Sequence, residues 1–238
     1  MTGEAWELLV VGGGTAGIVA AKTAAGLGAR VLLVERARTG GDCLWTGCVP
    51  SKALLAAAHV AADARAAARY GVHADVHIDS AAVRAHVQRA IAAIEPVDSL
   101  EALRAAGVQV LAGSLTFTGT DRAVVDGTPV RFRRALIGTG SSPSVPDIAG
   151  LRTALTSDTL LTSDTFWDLT ELPERILILG GGSIGCELGQ ASARLGVRRV
   201  VRRLRCRARR HRPNPAHRRA RAARGGRPDR RARTRRRR

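Results

Sequence analysis

Leu8-Leu9-Val10-Val11-Gly12-Gly13-Gly14-Thr15-Ala16-Gly17 lies near the start of a chain of 238 residues, and its pattern decides the fold. Four consecutive apolar residues stopped by glycine mark a strand buried on both faces of a parallel sheet. Residues 15 to 28, rich in Ala and Gly, predict a helix, and Val31-Leu32-Leu33-Val34 is a second buried strand ending at Glu35. Strand, helix and strand make one βαβ unit. Gly12, Gly14 and Gly17 form G-x-G-x-x-G at the strand-to-helix turn, with Glu35 about 20 residues farther on, the spacing of a dinucleotide site. In that reading Gly12 permits the tight turn, Gly14 lets a pyrophosphate approach the backbone, and Gly17 lets helix pack on strand. The helix N-terminus offers free N–H groups to phosphate, and Glu35 accepts ribose hydroxyls. A glycine turn can also be structural only; the flanking strands and the acid favour the nucleotide.

Outward from this unit, Cys48 to Tyr70 is an alanine-rich helix stopped by Gly71, and residues 80 to 106 predict more helix, interrupted at Pro96. Val108 to Leu111 returns as a strand. Residues 113 to 135 alternate, with turns at Gly119-Thr120-Asp121 and Asp126-Gly127, which predicts a small antiparallel meander. Arg134 to Ile137 is a further buried strand closing on Gly138-Thr139-Gly140, and Pro143 and Pro146 mark a linker. Leu-Thr-Ser-Asp-Thr occurs twice between residues 155 and 165, too short to make a repeat architecture. A fresh unit starts at Arg175: strand Ile176 to Leu179, glycine turn Gly180, Gly182 and Gly185, and a helix to about Leu195. Its next strand is due near Val197, with an apolar run and an acid or a basic cluster at its end. Arg198-Arg199-Val200-Val201-Arg202-Arg203 stands there instead, so the second βαβ unit is expected to be cut in half at 197.

The fold class is therefore α/β: one Rossmann-like domain over residues 1–150, the opening of a second over 151–197, and a tail over 198–238. Net charge is +18, but residues 198–238 carry 21 Arg and one acid, Asp229, while the rest carry 17 basic and 19 acidic residues. The high charge belongs to the tail. Dense Arg binds phosphates in a salt-dependent, sequence-blind way, which makes a nucleic-acid-binding protein the alternative function. The tail has no aromatic residue for stacking and no Lys, and its Arg, Ala, Gly, Pro and His are what GC-rich coding DNA yields out of frame. A frameshifted, disordered tail is the expectation. The acidic start Met1 to Glu7 lacks a secretion signal, and no apolar run is long enough to span a bilayer. Four cysteines, two of them clustered, fit a catalytic pair in a reducing compartment better than a disulfide framework, which predicts a cytoplasmic chain.

The clustered pair stands in Gly40-Gly41-Asp42-Cys43-Leu44-Trp45-Thr46-Gly47-Cys48-Val49-Pro50-Ser51-Lys52. Four residues separate Cys43 from Cys48, and a helix entered at an irregular first turn can bring such residues within disulfide reach, Cα atoms roughly 4.4 to 6.8 Å apart. Two buried reduced cysteines are the plainer alternative. The run resembles the active-site signature of the class I pyridine nucleotide-disulfide oxidoreductases, the family of dihydrolipoamide dehydrogenase, mercuric reductase and glutathione reductase, and the resemblance runs from residue 5 to about 197.

The resemblance implies FAD at the first glycine turn and NAD(P)H at the second, at Gly180, Gly182 and Gly185. It also implies a redox-active Cys43–Cys48 disulfide, with Cys48 nearer the flavin and Cys43 as the exchange thiol that attacks a disulfide or other small-molecule substrate. Lys52, one of two lysines in the chain, is placed beside the flavin and paired with Glu187. Thr139-Gly140-Ser141 is the returning turn near the flavin, and Gly113 lies where the chain passes the adenosine. Such enzymes are homodimers whose last domain supplies dimer contacts and a histidine acid/base; neither is expected here, and turnover by this chain is accordingly not expected. Asp42 stands where Thr is more usual and Trp45-Thr46 where Asn-Val is, which bears on the substrate; Ser51 leans toward the lipoamide and mercuric branches. Arg202, Arg203 and Arg205 are the weaker alternative as a 2′-phosphate site. Cys186 and Cys206 lack partners at metal-ligand spacing and the six His form no cluster, so no metal site is predicted.

Overall fold

The strand β1 (Trp6–Val11) is the axis of a six-stranded sheet. A computed structural model of the chain describes residues 4–151, 153 and 160–202. These lie in one unit, Met1–Arg203; residues 204–238 are divided from it. β2 (Val31–Glu35) and β6 (Thr128–Ile137) flank β1, both parallel to it, and β3 (Gln109–Ala112) pairs parallel to β2. β5 (Arg122–Val125) and β4 (Leu115–Phe117) extend the sheet antiparallel beyond β6, so the order is β3-β2-β1-β6-β5-β4.

Alternation along β1 sends its side chains to two cores. Val10 packs with Ile18 and Ala21 of α1 (Thr15–Gly26), with Val31 and Leu33, and with Leu103 of α5 (Leu100–Ala105). Leu9 faces the other way, onto Val34, Ala123, Val125, Val130 and Phe132. Leu9, Val10 and Leu33 are fully buried, and each such side chain contributes about 1.5–3 kcal/mol relative to exposure. The buried β2 explains why its sequence has no polar alternation.

A third core joins helices. α2 (Gly41–Trp45) and α3 (Cys48–Ala66) carry Leu44, Leu54, Ala58 and Ala61 against Val87 and Ile91 of α4 (Ser80–Ile94), Phe166, and Ala191 and Leu195. Ala191 belongs to α6 (Ser183–Arg194). Alanines at 58, 61 and 191 let α3 and α6 approach closely, since a side chain of one carbon keeps the helix axes near. Asp79 caps α4 by accepting from the Ala82 N–H at 2.9 Å, and Ser99 caps α5 by accepting from Ala102 at 3.1 Å.

Two expectations need correction. The meander and the strand at 134–137 are not separate: β6 is one ten-residue strand, antiparallel to β5 at Thr128–Arg131 and parallel to β1 from Phe132 to Ile137. Nothing between Arg131 and Phe132 breaks the backbone, so the ladder simply changes partner. Second, the βαβ unit beginning at β7 (Arg175–Leu179) is not cut at 197. β8 (Arg198–Arg202) pairs parallel to β7 from Arg175↔Arg198 to Leu179↔Arg202. Gly196, at φ +96, turns the chain back, Val197 is buried, and the Arg198 N–H donates to the Glu174 carbonyl at 2.9 Å. A parallel ladder is made by backbone groups, and charged residues are tolerated on sheet edges, so an arginine-rich strand can still pair. The tail from 203 onward, with the expectations of a frameshift and of disorder, lies outside the described residues.

Candidate functional site

At the end of β1 the chain turns at Gly12, φ +103, whose N–H donates to the Val34 carbonyl at 2.8 Å. A Cβ at Gly12 would stand 2.4 Å from the Gly138 carbonyl oxygen, and one at Gly17 would stand 1.8 Å from that of Gly12. Neither position has room for a side chain. Gly14 is the N-cap of α1 in extended conformation, with no side chain over the helix start, so its first N–H groups are open to an anion. Thr139 and Gly140, which follow β6, close over this turn: Gly138 donates to the Val11 carbonyl at 2.8 Å, and Gly140 lies beside the Asp42 carboxylate. Ser141 follows, exposed.

Glu35 is held before any ligand arrives. Its Oε2 accepts from the Gly13 N–H at 2.6 Å and its Oε1 from the Ala37 N–H at 2.7 Å. Each oxygen keeps a second lone-pair direction, enough for a pair of vicinal hydroxyls. Gly113, at φ +148, donates its N–H to the Glu35 carbonyl at 2.9 Å, and a Cβ there would meet the Asp126 carboxylate. The structure thus brings Gly12, Gly14, Gly17, Glu35, Gly113, Thr139 and Gly140 to one end of the sheet.

The cysteine segment is joined directly to this cradle. Gly40 donates to the Gly13 carbonyl at 2.9 Å and bridges to Gly14, and a Cβ at Gly41 would stand 2.7 Å from the Gly14 Cα. Cys43 follows two residues later in α2, and Cys48 is the first residue of α3. Both are free thiols, Cys43 half-buried and Cys48 exposed. Each influences the other, and the Thr15 hydroxyl at the start of α1 acts on Cys43. Burial pushes the Cys43 thiol above its usual range, with Cys48 adding to the rise and the Thr15 hydroxyl opposing it. The shift favours the protonated thiol.

Two indoles fix the segment between the cysteines. Trp45 Nε1 donates to the Thr39 carbonyl at 2.7 Å while the Arg38 guanidinium lies 3.8 Å from its ring centre. Trp167 Nε1 donates to the Thr46 carbonyl at 2.7 Å. Four residues after Cys48 on α3, Lys52 Nζ lies 2.6 Å from Glu187 Oε1, linking α3 to α6. The hydrogen bonds of Lys52 and then Ser51 hold the Glu187 carboxyl below its usual range, against a smaller opposing effect of burial. Ser51 itself is buried.

The second glycine turn is differently surrounded. Gly180 has φ +120 and Gly182 is the N-cap of α6, with nothing within 4 Å of an added Cβ at either among the described residues; Gly185 meets Ile178 at 3.3 Å. Glu187 stands two residues beyond. Arg202 ends β8 where a ribose acid was due. Arg203 and Arg205 lie outside the described residues.

Sequence reading passed over Gly13, Thr15 and Trp167. The first two had a signal, since they sit inside the first glycine run; Trp167, 121 residues from its acceptor, had none. Among the described residues no group of three or more His, Cys, Asp or Glu is arranged to hold a metal, and no helix is long and apolar enough to cross a membrane.

Comparison with known proteins gives this geometry a setting. The family model described as pyridine nucleotide-disulphide oxidoreductase matches residues 6–223, beyond the limit of 197 read from the motifs. A mercuric reductase from Streptomyces lividans is 38% identical over 200 residues, covering 81% of this chain and 41% of the relative. A glutathione reductase from Burkholderia cepacia is 36% identical over 82% of this chain and 42% of its own length. Dihydrolipoyl dehydrogenase 2 of Haloarcula marismortui is 38% identical with the same coverage. Among solved structures, the Cu(II) complex of the HOCl-induced flavoprotein disulfide reductase RclA from Escherichia coli superposes with a TM-score of 0.68 at 26% identity, over 82% of this chain and 41% of that one. The chain spans about two fifths of the length of the relatives it matches.

Proposed function

Since the chain belongs to the pyridine nucleotide-disulphide oxidoreductase family, whose members are FAD-dependent and take electrons from NAD(P)H, we propose that it binds FAD in the Gly12–Glu35 cradle and uses Cys43 and Cys48 as a redox-active pair toward a disulfide-type substrate. Residues 1–150 are the FAD-binding part and those from 151 the start of the NAD(P)-binding part. The observation that carries the reading is the joint between cradle and pair: Gly40 and Gly41 lie against Gly13 and Gly14, so the site for a pyrophosphate and the cysteines are set by the same backbone contact.

The residues present fit the cofactor. Gly14 and the open start of α1 face an anion, Glu35 has acceptor capacity left for a ribose, and Thr139 and Gly140 close the turn. FAD, when bound, supplies hydride acceptance and passes two electrons on. The protein does the rest. Cys43 and Cys48 store those electrons as two thiols, and the Thr15 hydroxyl acts on Cys43. Lys52, steadied by Glu187, carries an ammonium on α3 four residues after Cys48, where it favours negative charge. Cys43 exchanges with the substrate disulfide once a base has taken its proton, the task the resemblance assigns to a histidine of a partner subunit in a homodimer. Gly180, Gly182 and Gly185 form the NAD(P)H turn. Ser51 leans toward the lipoamide and mercuric branches rather than glutathione reductase.

The nucleic-acid alternative has nothing in its favour among the relatives reported, all of them oxidoreductases, and its residues from 203 on lie outside those described. The test of the proposal is spectroscopic. The purified full chain, mixed with FAD and passed over a desalting column, should keep about one flavin per chain, and peptide mapping after mild oxidation should find Cys43 linked to Cys48. Flavin lost on the column together with a chain that stays fully reduced would sink the reading.

A further inference from the structure

The cysteine pair is carried by two helices meeting at a two-residue joint. Thr46 is the C-cap of α2 and Gly47 the N-cap of α3. The Thr46 N–H is used inside α2, donating to the Asp42 carbonyl at 2.9 Å, and the Gly47 carbonyl is used inside α3, accepting from Ser51 at 3.0 Å. The Thr46 carbonyl, at the end of one helix and before the start of the next, is left for a partner from elsewhere. That partner is Trp167, at 2.7 Å. Trp167 is itself held: its ring meets Phe166 edge to face with centroids 5.1 Å apart, Phe166 is buried in the helical core, and Arg84 Nη1 donates to the Trp167 carbonyl at 3.3 Å. The α2 half of the joint is anchored separately, through Trp45 and Thr39.

We propose that Trp167 is a positioning residue for the Cys43–Cys48 pair, its indole N–H setting the angle between α2 and α3 and so the distance between the two sulfurs. The inference rests on the reading of the pair as redox-active. Closing the disulfide joins Cys43 Sγ to Cys48 Sγ and releases two protons and two electrons; with oxidised glutathione as acceptor, two reduced glutathiones form. The equilibrium measures how well the protein presents one sulfur to the other. Without the indole donor the Thr46 carbonyl loses its partner, the joint loosens, and the disulfide is disfavoured relative to the dithiol. The bond is present with both thiols free, so the shift is set by how much it strengthens on closure, and the full worth of one net hydrogen bond, a factor of about five to ten, is its upper end.

The experiment equilibrates the full chain across ratios of reduced to oxidised glutathione and counts trapped thiols by mass. Trp167→Phe should shift the midpoint toward the dithiol by more than about twofold and up to about tenfold. Phe166→Leu, which trims the same aromatic pair but keeps the indole donor, should lower the melting temperature and leave the midpoint in place. A Trp167→Phe midpoint within about twofold of wild type, or an equal shift in Phe166→Leu, overturns the inference and leaves the assignment of the pair intact. Should Trp167→Phe not fold, 3-benzothienylalanine at position 167 keeps the ring shape without the N–H, and the same outcomes apply. A wild-type chain that forms no Cys43–Cys48 disulfide at any ratio overturns the assignment of the pair and the inference with it.

Discussion

The two glycine turns of this chain share a spacing and differ in enclosure. At the first, an added Cβ would run into backbone at 2.4 Å on Gly12 and 1.8 Å on Gly17; at the second, Gly180 and Gly182 meet nothing within 4 Å among the described residues. Among the described residues the first sits at the centre of six strands, with β6 returning beside β1, while the second sits on a ladder of two. The G-x-G-x-x-G pattern therefore specifies a turn, and a cradle appears only where neighbouring strands and an acid close around it. Glu35, gripped by Gly13 and Ala37, completes the first turn; Arg202 stands in the corresponding place at the second.

The comparison is most sharply broken at its tightest contact. Gly17→Ala forces a methyl group into the Gly12 carbonyl and should cost more than about 3 kcal/mol, with loss of flavin retention. Gly182→Ala, at an unstrained φ of −74 in open space, should cost less than about 1 kcal/mol, chiefly through a poorer helix cap. Chemical denaturation of the two variants side by side measures the gap, and equal losses would mean that enclosure does not distinguish the turns.

Glu35→Gln tests the acid. The amide keeps one acceptor but turns an NH₂ toward one of the two N–H groups that Glu35 now accepts, so about 1–2 kcal/mol should be lost and FAD affinity should fall about tenfold. Fluorescence titration with FAD reads this directly.

The smallest effect lies beside the second turn. Glu187 has a carboxyl held below its ordinary range, so the unfolded chain binds its proton more readily, and the contribution is full above the usual glutamate range and fades as pH falls through the lowered value. Lys52 is two-thirds exposed, and solvent screening keeps the pair below about 1 kcal/mol. The stability difference between wild type and Glu187→Gln should therefore be present at neutral pH and vanish in acid, as thermal melts across that range would show.

Much of this was legible because its parts are close in sequence or carried by the family resemblance. Residues 8 to 35 contain strand, turn, helix, strand and acid in one stretch, and the periodicity of each is its own evidence. The pairing of Lys52 with Glu187 was reached through the resemblance. β8 was missed because an apolar pattern reports which side chains are buried, whereas Arg198 to Arg202 pairs with β7 through backbone groups that every residue carries. Trp167 was missed for a related reason: an indole donating to a main-chain carbonyl leaves no mark on the acceptor's side chain, and Thr46 reads the same with or without it. The partner change within β6 was invisible because strand propensity does not encode which neighbour a strand takes.

That long strand also sets an order of events. β1 has its nearest partner β2 within 25 positions, but its other neighbour is supplied by residues 132–137, and the Gly138 carbonyl that covers Gly12 comes after those. Synthesis runs from the N-terminus, and a contact so distant along the chain closes late. A nascent chain ending short of Phe132 carries the whole glycine signature, the acid and both cysteines, and still has an unroofed turn with one side of its central strand bare.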